Sequence, residues 1–333
     1  MKKISVLLAV IVLLILVSSV YGVADQKTYT IRLSNVVSEA QSSYIASNEI
    51  FKPYVEKESG GRIKVELYPN GQLGGDRESF EAVQVGTREM HIGATAVLSG
   101  FLSEVQVFDL PYLFKSKEVA YKALDGELGT IINNKLLDLG LKNLGYMENG
   151  YRHISNNKGP ITKPSDLKGL KIRTMENPVH MAIFKAFGAN PTPMNFGELY
   201  TALQQGTVDA QENPIPLVYT SKFYEVQKYY TLDGHVYASA SMVINKDFFN
   251  NLPEDLQEII VTGAKKAIDF QRELADKQDE EMLKLLKEKG MVINELTSEQ
   301  KQGFIDASIV VYDQFKDIIG ENLIEMAKKL ISR

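Results

Sequence analysis

The sequence predicts an α/β fold arranged as two similarly built lobes, and three observations support this prediction. A strand–helix–strand order occurs near the start of the chain and again in its second half. A short motif, AVQVGT at residues 82–87 and ALQQGT at 202–207, occurs once in each half, 120 residues apart. A long helical pattern then covers residues 253–290.

The first strand–helix–strand unit lies close to the N-terminus. Alternating apolar residues predict a strand over 28–33, and apolar residues at helical spacing predict a helix over 43–59 that ends at the glycines 60–61. Residues 63–68 alternate again as a second strand. Because strands joined by a helix in this way lie parallel, we expect a largely parallel sheet.

The second unit repeats this plan. Residues 170–175 are predicted to form a strand, and Asn177 and Pro178 are a favourable cap and first turn for a helix that ends before Gly188. Residues 190–194 are the next extended segment. Both copies of the six-residue motif end a predicted helix at a glycine. Glycine is common after helices, so the motif taken alone leaves a chance match open.

The pattern over 253–290 predicts one helix long enough to span both lobes, at about 1.5 Å per residue. A break near Gly263 or within the charged residues 276–281 is the alternative.

The N-terminus has the features of a secretory signal peptide. Lys2 and Lys3 precede an apolar run over residues 4–17, which is shorter than the ~20 residues of a membrane span. Small residues follow, and cleavage is expected after Gly22 or Ala24. We therefore predict that residues 1–24 are a signal peptide and that the protein is exported to the periplasm or another extracytoplasmic space. An uncleaved anchor is the alternative.

Composition excludes several classes of site. The chain has no cysteine, so a disulfide, a lipid-modified cysteine anchor, a thiol nucleophile and a thiolate zinc site are all excluded. It has 37 basic and 42 acidic residues, for a net charge of −5. A mildly acidic chain with interspersed charges is a poor candidate for nucleic-acid binding.

Arg173 is the first candidate for ligand binding. In the strand over 170–175 the apolar Leu170 and Ile172 face one side, and Arg173 faces the other near the carboxyl end. That end of an open α/β sheet faces the binding crevice. The arginine fork meets a carboxylate with two parallel hydrogen bonds. Spacing alone leaves an ordinary surface arginine as the alternative.

Asn213 and Arg152 are further candidates. Asn213 precedes Pro214, so its backbone is held extended, and its amide offers both a donor and an acceptor to a carboxylate or hydroxyl. A simple turn is the alternative. Arg152 follows Gly150, where the chain can pass between lobes, and a solvated hinge arginine is equally compatible with this position.

No motif announces an enzyme, a metal site or a cofactor site. The four histidines (His91, His153, His180 and His235) lack a paired metal-ligand spacing. The nucleophile elbow, the P-loop and the dinucleotide fingerprint are absent from the sequence. A catalytic triad without a local sequence motif is the alternative, because Ser and Asp are abundant.

Ordered motifs along nearly the whole chain after residue 24 resemble the DctP-type solute-binding subunits of TRAP transporters. They are YPNGQLGGDR at 68–77, PYLF at 111–114, YRHI at 151–154, KPSDLKGLKIR at 163–173, GANPTPM at 188–194, ELYTALQ at 198–204 and VDAQENP at 208–214. One departure is Ala210, where the family usually has glycine.

The resemblance implies a two-lobed Venus-flytrap fold of the periplasmic-binding-protein type, with the ligand in the cleft. It implies that Arg173 clamps a ligand carboxylate, that Asn213 assists, and that Phe196 packs on the ligand. Asn35, Asp76 and Arg152 match positions that can line the cleft, and His235 matches a histidine near the site. We expect lobe I to comprise residues 25–150 and 239–278, and lobe II residues 151–238 and 279–333.

The implied function is capture of a small organic acid and its delivery to membrane permease subunits, by a monomer without enzymatic activity, metal or cofactor. A sugar acid and a C4-dicarboxylate both fit, with a slight preference for the sugar acid. The surroundings of Thr95 hold no acidic residue, which disfavours sialic acid. The alternatives are an ABC-type receptor, a secreted hydrolase and an anchored sensory ectodomain.

Overall fold

A computed structural model describes residues 27–331, so the predicted signal peptide lies outside the described residues. These described residues form nine strands: β1 Tyr29–Asn35, β2 Ile63–Tyr68, β3 Met90–Ala94, β4 Leu141–Asn156, β5 Lys171–Thr174, β6 Asn190–Pro193, β7 Ala210–Asn213, β8 Tyr229–Asn245 and β9 Val292–Glu295. They belong to one sheet in the order β2-β1-β3-β8-β4-β7-β5-β6, and β9 pairs with β8.

Helices cover both faces of this sheet. They are α1 Ser42–Ala46, α2 Lys52–Glu58, α3 Asp76–Gln84, α4 Lys117–Leu124, α5 Glu127–Asp138, α6 Pro178–Ala186, α7 Phe196–Gln204, α8 Ile215–Thr220, α9 Lys246–Asn250, α10 Glu254–Glu288, α11 Ser298–Ile319 and α12 Glu321–Ile331. A π-helical turn, Ser47–Phe51, joins α1 to α2, and short 3-10 turns include Thr95–Gly100 and Ser103–Asp109.

Two long antiparallel strands run through the middle of the sheet. The first part of β4 pairs with the last part of β8 beside β3, and the last part of β4 pairs with the first part of β8 beside β9 and β7. The sheet therefore has two halves that share these two strands. The predicted lobe boundaries, 150/151 and 238/239, fall inside β4 and β8, and the division into lobes stays a prediction.

The expected parallel pairing holds for only part of the sheet. β1 is parallel to β2 and β3, β5 to β6 and β7, and β8 to β9. The pairs β3–β8, β8–β4 and β4–β7 are antiparallel. The strand–helix–strand units account for the parallel pairs. The antiparallel centre arises because β4 and β8 cross between the halves in opposite directions.

The long helix α10 is continuous over 35 residues. Gly263 does not break it, because this glycine is a packing position. An added Cβ would lie 2.9 Å from Cγ2 of Val55 and 3.1 Å from Cδ1 of Tyr54. The helix packs against α1, α2 and β4 and also against α8 in the second half, so it spans the molecule as the sequence predicted. Within the described residues, no helix is long and apolar enough to cross a membrane.

Candidate ligand-binding site

A cleft lies where the carboxyl ends of strands from both halves of the sheet meet. Asn35 ends β1, Ala94 ends β3, Asn213 ends β7, and Arg173 lies one residue before the end of β5. All four line a space of about 640 Å³ that is partly open to solvent. Because ligands of open α/β sheets bind at this end of the strands, the cleft is the candidate ligand-binding site.

Six of the seven residues predicted from the sequence line this cleft together: Asn35, Asp76, Arg152, Arg173, Phe196 and Asn213. The seventh, His235, is not among the lining residues. The N-termini of α3 and α7 also reach the cleft, at Asp76 and Phe196. Helix N-termini carry partial positive charge, so both favour an anion in this space.

Arg173 is a buried cation without a counter-ion. The residue is 2% exposed, and its Nε and Nη2 donate hydrogen bonds to the carbonyl oxygen of Met194 at 2.9 and 2.7 Å. Its Nη1 has no hydrogen-bond partner, and the guanidinium forms no ion pair with any residue in the described range 27–331. Burial lowers the pKa of Arg173 to about 10, because a desolvated charge is disfavoured.

Arg152 is equally buried, but its charge is paired inside the protein. Its Nε and Nη2 form an ion pair with the carboxylate of Glu212, and Nη2 also donates to Oδ1 of Asn213 at 3.0 Å. The third nitrogen, Nη1, donates no hydrogen bond within the described residues. Arg152 thus presents one free edge of its fork to the cleft that it lines.

A buried network of charges supports Arg152 from behind. His235 Nε2 lies 3.1 Å from Glu212 Oε2, and its Nδ1 lies 2.8 Å from Asp233 Oδ2. His180 Nδ1 lies 3.6 Å from Glu212 Oε1. Burial opposes ionisation of Glu212, but Arg152 and the two histidines outweigh it and hold the pKa of Glu212 well below its usual range.

The structure places His235 in this network rather than in the cleft wall. Burial opposes its protonation, but Asp233 and Glu212 outweigh burial and raise the pKa of His235 to about 9. Both ring nitrogens are engaged by carboxylates. His235 is therefore positioned to fix Glu212, which in turn fixes Arg152.

The polar lining on the other wall is held by hydrogen bonds within its own half of the sheet. Asp76 Oδ1 lies 3.0 Å from His91 Nε2, and Asp76 Oδ2 accepts the Ala94 N–H at 3.1 Å. Asn35 donates to Ser43 Oγ at 3.1 Å and accepts the Val37 N–H at 3.0 Å. These contacts fix the orientation of the two side chains.

Several residues that line the cleft follow no pattern used in the predictions, among them Asn149, Met175, Glu176, Met194, Asn195 and Leu217. Asn195 is detectable in principle, because an Asn immediately before a helical pattern is a cap signal. Asn149 and Glu176 follow no local pattern. Asn149 lies in β4 and Glu176 follows β5, and β7 lies between these two strands in the sheet. Within residues 27–331, no group of three or more His, Asp or Glu side chains is arranged to hold a metal ion.

Comparisons with known proteins agree with this fold. The sequence profile of the family "Bacterial extracellular solute-binding protein, family 7" matches residues 33–317. The chain is 40% identical to a protein of Verminephrobacter eiseniae named "Solute-binding protein", over 92% of this chain and 90% of that protein.

Solved structures are also similar. A sugar acid binding protein from Advenella mimigardefordensis in complex with galactonate has a TM-score of 0.90 and 36% identity, covering 92% of this chain and 98% of that one. A TRAP periplasmic solute binding protein from Sulfurospirillum deleyianum with bound succinate has a TM-score of 0.88 and 36% identity, covering 91% and 99%.

A single sheet in two halves, with a cleft between them lined by an uncompensated arginine, defines the class of two-lobed periplasmic binding proteins. The chain belongs to the DctP family, the bacterial extracellular solute-binding proteins of family 7 that serve TRAP transporters. Proteins of this family bind substrates for transport and are not enzymes. The predictions of family, fold class and absence of enzymatic activity are confirmed.

Proposed function

We propose that this protein captures a small organic acid in the cleft, holds its carboxylate on Arg173, and delivers it to membrane permease subunits of a TRAP transporter. The observation that carries the proposal is the Arg173 guanidinium, which is buried, without a counter-ion, and has one unused donor at the cleft. A buried, unpaired charge is costly, and an incoming carboxylate removes that cost.

Arg152 supplies the second donor in this proposal. Its free Nη1 edge lines the same cleft, and Glu212 fixes the rest of the fork. Hydrogen bonds that involve charged groups contribute about 1.5–3 kcal/mol each. A micromolar ligand requires about 8 kcal/mol in total. The two arginines therefore account for part of the affinity, and the rest comes from hydroxyl contacts and from packing on Phe196.

The polar lining favours a hydroxylated acid over a dicarboxylate. Two carboxylates, Asp76 and Glu176, line the cleft with the arginines, and both repel a second negative charge on the ligand. The amides of Asn35, Asn149 and Asn195 supply donors and acceptors for hydroxyl groups. We therefore place a sugar acid first and a C4-dicarboxylate second.

Closure of the two lobes around the ligand is the proposed mechanism. β4 and β8 are the strands that join the halves, and their pairing is irregular between Glu148 and Gly150 and again between Arg152 and Ile154. Gly150 has φ +105°, which only glycine adopts readily. Bending at these irregularities lets the lobes approach. A ligand that contacts both lobes favours the closed state through its higher affinity for that state.

Titration calorimetry tests the arginine clamp. We expect Arg173→Met to weaken binding of the preferred acid about 100-fold or more, since it removes both the charge and the donors. Arg173→Lys should weaken binding at least about tenfold, because a point charge cannot replace the planar fork. A thermal-shift screen of sugar acids and C4-dicarboxylates identifies the acid first, because a ligand of the folded state raises the melting temperature.

Arg272→Lys is the matched control. Arg272 forms an ion pair with Asp125 and is not among the cleft-lining residues, so affinity should not change. Unchanged affinity in Arg173→Met would refute the clamp, and a screen in which no organic acid binds would refute the proposed ligand class.

A further inference from the structure

Two helix starts face each other across the mouth of the cleft. Gly75 precedes α3 on the side of predicted lobe I, and Asn195 precedes α7 on the side of predicted lobe II. Asn195 caps α7, since its Oδ1 accepts the Gly197 N–H at 3.1 Å. Its Nδ2 donates across the cleft to Glu78 Oε2 at 3.4 Å. The side chain is thus held from both lobes.

Gly75 has no room for a side chain in this arrangement. Its backbone, with φ −72° and ψ 179°, lies in a region open to every residue type, so conformation does not require glycine here. The obstacle is the opposite lobe. An added Cβ would lie 1.8 Å from Nδ2 and 2.7 Å from Cγ of Asn195. Such separations are far inside van der Waals contact, so the two lobes would have to move apart.

Asn195 cannot easily turn away from such a group. Turning would break its cap on α7 and leave the Gly197 N–H without its acceptor, which destabilises the start of the helix. The Glu78 carboxylate, which would lie 2.7 Å from the added Cβ, is at the end of a flexible side chain and can rotate. Asn195 therefore sets the limit of approach.

We propose that Gly75 and Asn195 form the contact at which lobe closure ends. Because glycine has no side chain, the lobes can close fully around the ligand, and a larger residue at position 75 would lower the affinity by keeping them apart. The proposal rests on the closure mechanism of the proposed function. It assigns Gly75 a positioning role: it touches the opposite lobe, and it acts on the ligand by letting the arginine side of the cleft approach the Asn35 side.

Gly75→Ala should affect only the closed state. In the open state the lobes are apart, and the new methyl group meets no atom of Asn195. The free protein should therefore keep its melting temperature within about 2 °C, because the added methyl group removes no contact of the open state. Affinity for the acid should fall about fivefold, the loss expected if Asn195 must give up its cap on α7 in the closed state, mainly through faster dissociation.

The variant Gly75→Ala/Asn195→Ala tests the steric argument. Removing the Asn195 amide removes both of its close contacts, so the double variant should bind within about threefold of Asn195→Ala alone. A loss of affinity in Gly75→Ala that the second substitution does not restore would overturn the proposal, and so would wild-type affinity in Gly75→Ala.

A cross-linking assay separates this inference from the identity of the ligand. Gln41 Nε2 donates to Thr220 Oγ1 at 2.8 Å, which is a second contact between the two predicted lobes. The chain has no cysteine, so Gln41→Cys and Thr220→Cys introduce the only two thiols. A short bifunctional thiol reagent should join them at least about threefold more slowly in the Gly75→Ala background.

Ligand affinity and the cross-linking rate test the proposed function and the closure contact separately. Slower cross-linking in a protein that binds no organic acid would support the closure contact and refute the proposed function. Binding of an acid with unchanged affinity and unchanged cross-linking in Gly75→Ala would support the function and refute the closure contact.

Discussion

Two buried arginines of the cleft are used in different ways. Arg152 is neutralised by Glu212, which His235 and His180 support. Within residues 27–331 the Arg173 guanidinium donates hydrogen bonds only to the carbonyl oxygen of Met194, and it lies over the ring of Phe196. Removing one partner of a buried ion pair leaves the other uncompensated and is strongly destabilising. Arg173 forms no ion pair within the described residues, so its substitution leaves no buried carboxylate without a partner. Substitutions of Arg173 are therefore suited to separating binding from folding, and substitutions of Arg152 are not.

Glu148 gives the protein a pH-dependent stability. It is 3% exposed in β4, next to Lys117, whose Nζ lies 2.7 Å from Glu148, Asp276 and Asp279 alike. Burial raises the pKa of Glu148 to about 7, against the partial compensation from Lys117. The folded state therefore binds more protons than the unfolded state between about pH 4.5 and 7, and stability falls as pH rises through that window.

Glu148→Gln should remove this component. Between pH 5 and 8 the free energy of unfolding of the wild type should fall by on the order of 2 kcal/mol more than that of the variant, measured by urea denaturation at each pH. Glu325→Gln is the control, because Glu325 is a half-exposed partner of Lys328. Parallel pH profiles for wild type and Glu148→Gln would contradict the prediction.

At the residue scale the sequence predicts those side chains that local geometry positions. Arg173 follows from strand alternation and from its place near a strand end, and Asn213 from its place before a proline. His235 could not be placed this way. Asp233 lies two residues before it in β8, but Glu212 meets it only through the pairing of β4 with β7 and β8, which is a long-range property. Its predicted contact with the ligand stays a prediction.

The two six-residue motifs form the same local structure. In each, the Thr N–H donates to the carbonyl of the first motif residue at 2.9 Å (Thr87 to Ala82, Thr207 to Ala202), and the Gly N–H donates to the second at 3.2 Å. Gly86 and Gly206 have φ +79° and +70°. The repeated motif thus marks two equivalent helix ends, which are followed by β3 and β7, and both strands end at the cleft.

Because the two helix ends have the same local structure, replacing the glycine in either should destabilise the protein equally. Gly86→Ala and Gly206→Ala should each lower the free energy of unfolding by about 1 kcal/mol through the left-handed backbone conformation, because no neighbour approaches either Cβ position closer than 3.5 Å. Gly159→Ala is the control, since its backbone is not left-handed and its surroundings are open. Urea denaturation measures all three, and costs for the two helix ends that differ by more than about 1 kcal/mol would contradict their equivalence.

Elements with clear periodicity were predicted closely, and elements shaped by the crossing between halves were not. β2 matches its predicted bounds, and α10 lies within two residues of its own. β4 and β8 escaped prediction as long strands, because polar residues such as Glu148, Arg152 and Asp233 interrupt their apolar alternation. Glu148 and Arg152 lie at irregularities in the β4–β8 pairing, and Arg152 and Asp233 belong to the buried network, so these special positions obscure the strand pattern.

The whole molecule is joined by elements that do not belong to one half. One hydrophobic cluster contains residues from 80–141 together with residues from 154–189 and 304–327, and α10 packs on both halves. We expect thermal unfolding of the ligand-free protein to occur as one transition in scanning calorimetry, with calorimetric and van't Hoff enthalpies equal. Two resolved transitions would show that the halves are energetically independent.

Arg173 Nη1, which has no hydrogen-bond partner, also affects how the protein should respond to other carboxylates in solution. Any small carboxylate that reaches the cleft finds the same uncompensated charge, whatever the remainder of the molecule looks like. Acetate and formate should therefore act as weak competitors, and the apparent affinity for the preferred acid should decline as their concentration rises. Under the proposed clamp, discrimination between natural acids depends on the groups beyond the carboxylate.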